Sequence, residues 1–469
     1  MLPPSKSTKP LGFFGLVMIN VIAVDSLRTL SIGANYGFSL VFFYLLIAFA
    51  FFIPNILISA ELATGWPSMG GAYVWIREAF GEKWGFFAIW LQWVYNLAWF
   101  PTIFTFIGAT LAYLINPHLV NDKLYMLATT LGFFWISTIA SCTGIRTASW
   151  ISTVGAIFGT LLPMMVIIFL GVAWIISGKP VQIDISLSSF FPHNLTSVDS
   201  LVLLTSVLFG LMGIEISAVH AGNVRNPQKN YPRSLGFSGL IIFLSLVMAS
   251  LAITVVVPQK QINIVSGLME AFELFFKAFH YSWAVSLIAI LIIIGSFAGV
   301  SAWILGPPKS LLIACEDMNL KGFQFLTKRD KDETPIGLLL LQAVIVSMLC
   351  GAFLLIPSVS GTYWLLSALT VQLALPYYIL MFAAAIRLRY KKAHIERAYR
   401  IPFGNAGIWV CGVLGILACI FTMIIGFFPP TQVQVGKGFQ YEIILISGIL
   451  LLGVVPFILN YLFKLCKSK

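Results

Sequence analysis

Two carboxylates stand in the middle of long apolar runs, Asp25 in the first and Glu215 in the sixth, at the same depth counted from Leu11 and Leu201. A charge at the centre of a bilayer costs about 2.5–3.5 kcal/mol on insertion scales, so such residues mark paths for a substrate, an ion or a proton. Arg28, one helical turn after Asp25, is the only other full charge deep in an apolar run. The other acidic residues fall in loops or at segment ends. A chain with this pattern has to enclose a polar centre shared by its first and sixth segments, which points to transport.

The class follows from composition. Hydrophobic residues make up 59% of the 469 residues and charged ones 10%, whereas a soluble domain is nearer half apolar and a quarter charged. About twenty apolar residues cross a bilayer as a helix. Twelve such segments can be read, at 11–33, 38–63, 84–115, 124–143, 150–177, 200–220, 235–257, 282–315, 336–356, 363–386, 407–428 and 441–465. The expectation is an all-α membrane protein in which 1–469 form one membrane transport domain. No cleavable signal peptide is expected before the first segment: small-residue cleavage chemistry is missing, and cleavage would remove Asp25.

Charge sets the orientation. Of 28 Lys and Arg, Lys123, Lys179, Lys260, Lys277 and Lys437 fall on one side of this twelve-segment layout and Arg28 inside it. All the others lie on the side of the N-terminus. The positive-inside rule then puts both termini in the cytoplasm. The net charge of +11 reflects this topology and anionic headgroups, so no nucleic-acid partner is expected.

Other chemistry is sparse. The six cysteines lie in or beside the segments without a CxxC spacing, as small apolar packing residues do. The five histidines are scattered, so neither a metal site nor a cofactor is expected. GxSxG, HExxH and GxxxxGK[ST] patterns are absent, which speaks against an enzyme and against direct ATP drive. The loops say more. Residues 61–75 carry Glu61, Gly65-Trp66-Pro67, Gly70-Gly71, Tyr73 and Trp75; this density of glycine and proline predicts an irregular turn, with aromatics at the membrane interface. Residues 223–233 form a basic, proline-bounded loop, and Gly306-Pro307-Pro308 leads into a charged loop ending at Glu333-Thr334-Pro335. Residues 267–280 are amphipathic and too short to span, which suits a helix lying along the surface.

The 61–75 stretch, Gly213-Ile214-Glu215 with the Asn226-Pro227 loop, and Trp303-Ile304-Leu305-Gly306-Pro307 resemble the amino acid–polyamine–organocation superfamily. Within it, 38–43 and 211–220 are similar to the glutamate/γ-aminobutyrate antiporter family. The resemblance covers nearly the whole chain. It implies a five-plus-five inverted repeat of the LeuT-like kind, 11–177 and 200–386, with 407–465 appended. The first and sixth spans would be broken at mid-membrane, where backbone N–H groups hold the substrate carboxylate and carbonyls hold its amine. Asp25, Ser26 and Gly213 fall at these breaks.

By the same resemblance, Glu215 matches a carboxylate implicated in coupling or gating; its plainer reading is a buried glutamate bonded to a neighbouring hydroxyl. Phe209 matches an occluding aromatic, with lipid-facing packing as the rival. Trp303, Tyr378 and, more weakly, Asn96 and Tyr95 match pocket-lining positions. Asp25 and Arg28 depart from the relatives, many of which are glycine-rich there. Asp25 could attract a substrate ammonium or accept a transported proton, or it could form a local i, i+3 pair with Arg28. Gly299 stands where glutamate exchangers place an acidic residue, so glutamate is not implied as substrate. Acid-resistance exchangers carry a long C-terminal plug; with Lys469 a few residues past the last segment, no plug and transport near neutral pH are expected. Sodium-linked relatives use span-eight hydroxyls, for which only Ser301 offers itself, and the lysine of proton-linked relatives is missing from span five. The leading expectation is an amino acid exchanger in a bacterial inner membrane, as a monomer or homodimer. A proton-coupled amino acid symporter is the alternative, and a transport-dead nutrient sensor a more distant one.

Overall fold

The computed structural model describes residues 12–67, 70–142, 155, 157–192, 198–317, 335–431, 433–436 and 438–455. These residues form helices long and apolar enough to cross a membrane at Phe13–Ala34, Gly37–Gly65, Glu82–Ile115, Lys123–Cys142, Ile157–Ile176, Ser200–Ala218, Pro227–Val256, Ala284–Glu316, Ile336–Leu355, Val359–Lys391 and Gly404–Ile425. We number these spans one to eleven in chain order. A shorter apolar helix, Gly438–Gly453, follows; it covers the start of the expected twelfth segment, whose remainder from 456 lies outside the described residues.

Helices apolar on every side are stable only where protein or lipid surrounds them. Here the inward faces make one continuous core, while Phe49, Phe169, Ile176 and Leu451 are at least two-thirds exposed, the pattern of a lipid-facing rim. The third span lies against both the eighth and the tenth. The fifth meets the eighth at a pair of glycines: a side chain on Gly159 would collide with the Gly295 backbone, and one on Gly295 with Gly159. Only glycine lets two backbones approach so closely.

Several local expectations need correction. The 61–75 stretch is mostly helical: the second span runs on to Gly65 and a separate helix covers Ala72–Phe80, with Trp66, Pro67, Gly70 and Gly71 non-helical between them. Trp75 is fully buried within the protein. The basic loop is shorter than read, because the seventh span starts at Pro227. Proline suits the first helical position, where its missing N–H has no partner to lose, and Asn226 supplies the left-handed entry at φ +50°. Pro307 and Pro308 lie inside the eighth helix, which continues to Asp317; Glu333 and Thr334 lie outside the described residues. The amphipathic stretch is a helix, Gly267–Ala278, but Leu268, Phe272, Phe275 and Phe276 are buried against protein rather than lipid. Its start is tied to the first span, since Leu268 N–H donates to Ser31 Oγ at 2.9 Å.

Candidate substrate cavity

Spans one and six are both interrupted. The first is helical to Val24, extended at Asp25 (φ −70°, ψ 106°) and Ser26 (φ −124°, ψ 118°), and resumes as a 3-10 turn at Leu27–Thr29 before Leu30–Ala34. The sixth is helical over Leu204–Gly210 and turns through Gly213 at φ +105° into a 3-10 segment, Ile214–Asn223. The two breaks touch: a side chain on Gly213 would meet Val24 and the Ala23 carbonyl, and one on Gly210 would meet Thr29. Each break leaves helix-end N–H and C=O groups without intrahelical partners, and at this depth such groups are tolerated where they line a cavity.

A cavity is present there, with about 110 Å³ open to water centres; a single water needs roughly 10–15 Å³ on that measure. Asp25, Ser26, Asn96, Phe209, Gly213, Trp303 and Tyr378 all line it, as do Arg28 and Tyr95. Glu215 does not, and sits one hydroxyl behind the wall.

Asp25 is buried. Its Oδ2 accepts from Ser245 Oγ of the seventh span at 2.8 Å, and among the described residues Oδ1 has no hydrogen-bond partner. Arg28 turns elsewhere: Nη1 donates to Thr102 Oγ1 of the third span at 3.1 Å, and the guanidinium lies 4.4 Å from the centre of the Phe209 ring. Among the described residues no ion pair joins Asp25 to Arg28. The i, i+3 pairing presupposes helical backbone between the two residues, and the extended Asp25–Ser26 step removes it. Phe209 therefore faces Arg28 and the cavity rather than lipid, and Tyr363 Oη fixes this turn from the tenth span by donating to the Arg28 carbonyl at 3.1 Å.

Glu215 is held from two sides. Tyr378 Oη donates to Oε1 at 2.9 Å and Asn55 Nδ2 to Oε2 at 3.2 Å, while Ser59 Oγ donates to Asn55 Oδ1 at 3.1 Å. Since Tyr378 also lines the cavity, a bound molecule and Glu215 share one hydroxyl. Glu215→Ala leaves the Tyr378 hydroxyl and the Asn55 amide buried without this acceptor, at a cost of about 1–3 kcal/mol. Glu215→Gln keeps an acceptor for Tyr378. Thermal unfolding of the purified variants should rank Gln well above Ala, and equal losses would contradict this assignment.

Trp303 stacks at a tilt on Trp99, with ring centres 5.8 Å apart, and Asn96 Nδ2 donates to the Gln92 carbonyl at 2.6 Å. Ser301 donates to the Ala298 carbonyl at 2.7 Å and does not line the cavity. Ser245, Thr102, Asn55 and Trp99 escape a reading of the sequence. The first three are single polar residues in apolar runs, a weak signal because Ser, Thr and Asn often bond only their own helix.

Residues 11–449 match the family model described as amino acid permease. The chain is 49% identical over 452 residues to an uncharacterised transporter of Legionella pneumophila, covering 96% of this chain and 97% of that protein. It is 31% identical over 460 residues to a glutamate/gamma-aminobutyrate antiporter of Lactococcus lactis, covering 97% and 90%. A probable agmatine/putrescine antiporter of the same species is 25% identical over 398 residues, covering 84% and 83%.

Proposed function

The chain belongs to the amino acid permease family of the amino acid–polyamine–organocation superfamily, and on that premise we propose that it is an amino acid exchanger working by alternating access. It is a multi-pass membrane protein of an amino acid and polyamine transporter family. The observation that carries the finer reading is the meeting of two broken helices at one cavity. The substrate carboxylate sits on N–H groups where the first span restarts at Leu27, favoured by the positive end of that half-helix. Its ammonium takes the sixth-span carbonyls around Leu211–Gly213, with the Asp25 carboxylate lining the same cavity. Phe209 and Arg28 close over it together. The full architecture we propose has twelve spans, with repeats 11–177 and 200–386, an appended 407–465, and both termini in the cytoplasm of a bacterial inner membrane.

The test is uptake of labelled amino acids into sodium-free proteoliposomes, preloaded or empty, across pH. Exchange requires uptake that depends on preload. A second reading, proton-coupled symport, is favoured by Glu215 standing one hydroxyl from the cavity. On that reading empty vesicles accumulate amino acid under an inward proton gradient, and Glu215→Gln flattens the pH profile.

A further inference from the structure

We propose that the cavity selects amino acids with uncharged side chains, received in a subsite that Gly299 of the eighth span holds open. The inference rests on the reading of this cavity as an amino acid site.

Two glycines one helical turn apart line the same cavity and do opposite things. A side chain on Gly295 would strike the backbone of Gly159, so this glycine serves helix packing. Among the described residues, none comes within 4 Å of a Cβ placed on Gly299, and Gly299 itself lines the cavity. No described residue therefore demands glycine there for packing, and the space beside it opens to the cavity. The third, fifth and eighth spans, which meet here, give the cavity the large apolar side chains of Trp99, Ile103, Phe106 and Trp303 and the uncharged polar groups of Tyr95, Asn96, Thr160 and Ser296.

Charge decides the class. Among the described residues, the charged ones lining the cavity are Asp25 and Arg28, both on the first span, and the lining from the third, fifth and eighth spans carries no charge. An ionised side chain placed there would lose its hydration without gaining a counter-charge, which proteins avoid. An apolar side chain gains about 0.8 kcal/mol per buried methylene, and the tryptophans bound its size. A side-chain carboxylate reaching Arg28 is the rival, but that guanidinium is already engaged by Thr102 and the Phe209 ring.

The experiment is uptake by wild type, Gly299→Ala and Gly299→Leu proteoliposomes, competed with alanine, serine, leucine, phenylalanine, glutamate and lysine. Neutral amino acids should compete with wild-type uptake, and glutamate and lysine should not. Gly299→Leu should weaken leucine and phenylalanine about tenfold or more, the scale on which pockets discriminate side-chain size. It should change alanine and serine by no more than about threefold, with Gly299→Ala in between. Glutamate or lysine as the strongest wild-type competitor overturns the inference while leaving the transport reading intact. An equal loss for small and large neutral substrates in both variants overturns the Gly299 subsite. Transport of no amino acid of any class removes the underlying reading and the inference with it.

Discussion

Glu61→Ala should destabilise the protein by about 3–5 kcal/mol, the cost of leaving buried charges without their partner. Glu61 lies one turn before the end of the second span at 1% exposure, between two arginines nearly as buried. Its Oε2 lies 3.1 Å from Arg389 Nη2 of the tenth span and accepts from Ile401 N–H at 2.9 Å; its Oε1 lies 3.7 Å from Arg397 Nε. Arg397 is further held by the Leu388 carbonyl at 2.8 Å and faces the Trp66 ring. Burial pulls the Arg397 guanidinium below its ordinary pKa, the Glu61 carboxylate opposes this, and Arg389 and Arg400 add to the downward pull. Removing Glu61 therefore leaves like charges facing one another in a buried site. Glu61→Gln, which keeps an oxygen for the Ile401 N–H, should lose less. The measurement is thermal unfolding and yield of detergent-purified protein; an alanine variant within about 1 kcal/mol of wild type, the size of a solvent-exposed ion pair, would mean that the cluster is effectively solvated.

Gly213→Val should cut transport at least tenfold, since about 1.4 kcal/mol already corresponds to that factor. The reason is conformation rather than crowding. A Cβ at 213 would make ordinary contacts, 3.5 Å to Ile216 and 3.8 Å to Val24, but φ +105° lies where only glycine is at ease, and a strained residue costs about 1–3 kcal/mol. A β-branched residue would relieve that strain by moving the break itself, and with it the carbonyls proposed to hold the ammonium. Gly213→Ala should fall between wild type and valine. Uptake assayed at matched protein density checks this, and full activity of the valine variant would show that the turn at Gly213 does not shape the site.

How much of this was legible in the sequence differs by element. Asp25 and Glu215 stand out because an isolated carboxylate in an apolar run has no cheap explanation, and Asp25 does lie at an interruption. Which way those side chains turn was not legible. Of the alternatives for Asp25, the local pair with Arg28 fails because helical spacing rules do not hold across an extended step. The Glu61 cluster was hidden for a different reason. Glu61 reads as part of a glycine-rich stretch and Arg389 and Arg397 as topological charge, and nothing local joins residues more than three hundred positions apart. Gly299 illustrates a further limit: its spacing from Gly295 looks like a packing motif, and only the surrounding volume separates a glycine that lets helices touch from one that leaves a space.

The account stands on an amino acid occupying the cavity between the broken spans, and a cysteine at Ser26 tests this most directly. Ser26 lines the cavity at the extended step. With the six native cysteines replaced, Ser26→Cys in proteoliposomes would be treated with a methanethiosulfonate reagent, with and without the amino acid that supports exchange. The predicted result is that modification stops uptake and that the amino acid slows modification, with half-protection near the KM of transport. Modification at the same rate with and without saturating amino acid, in a variant that still transports, would place the substrate elsewhere.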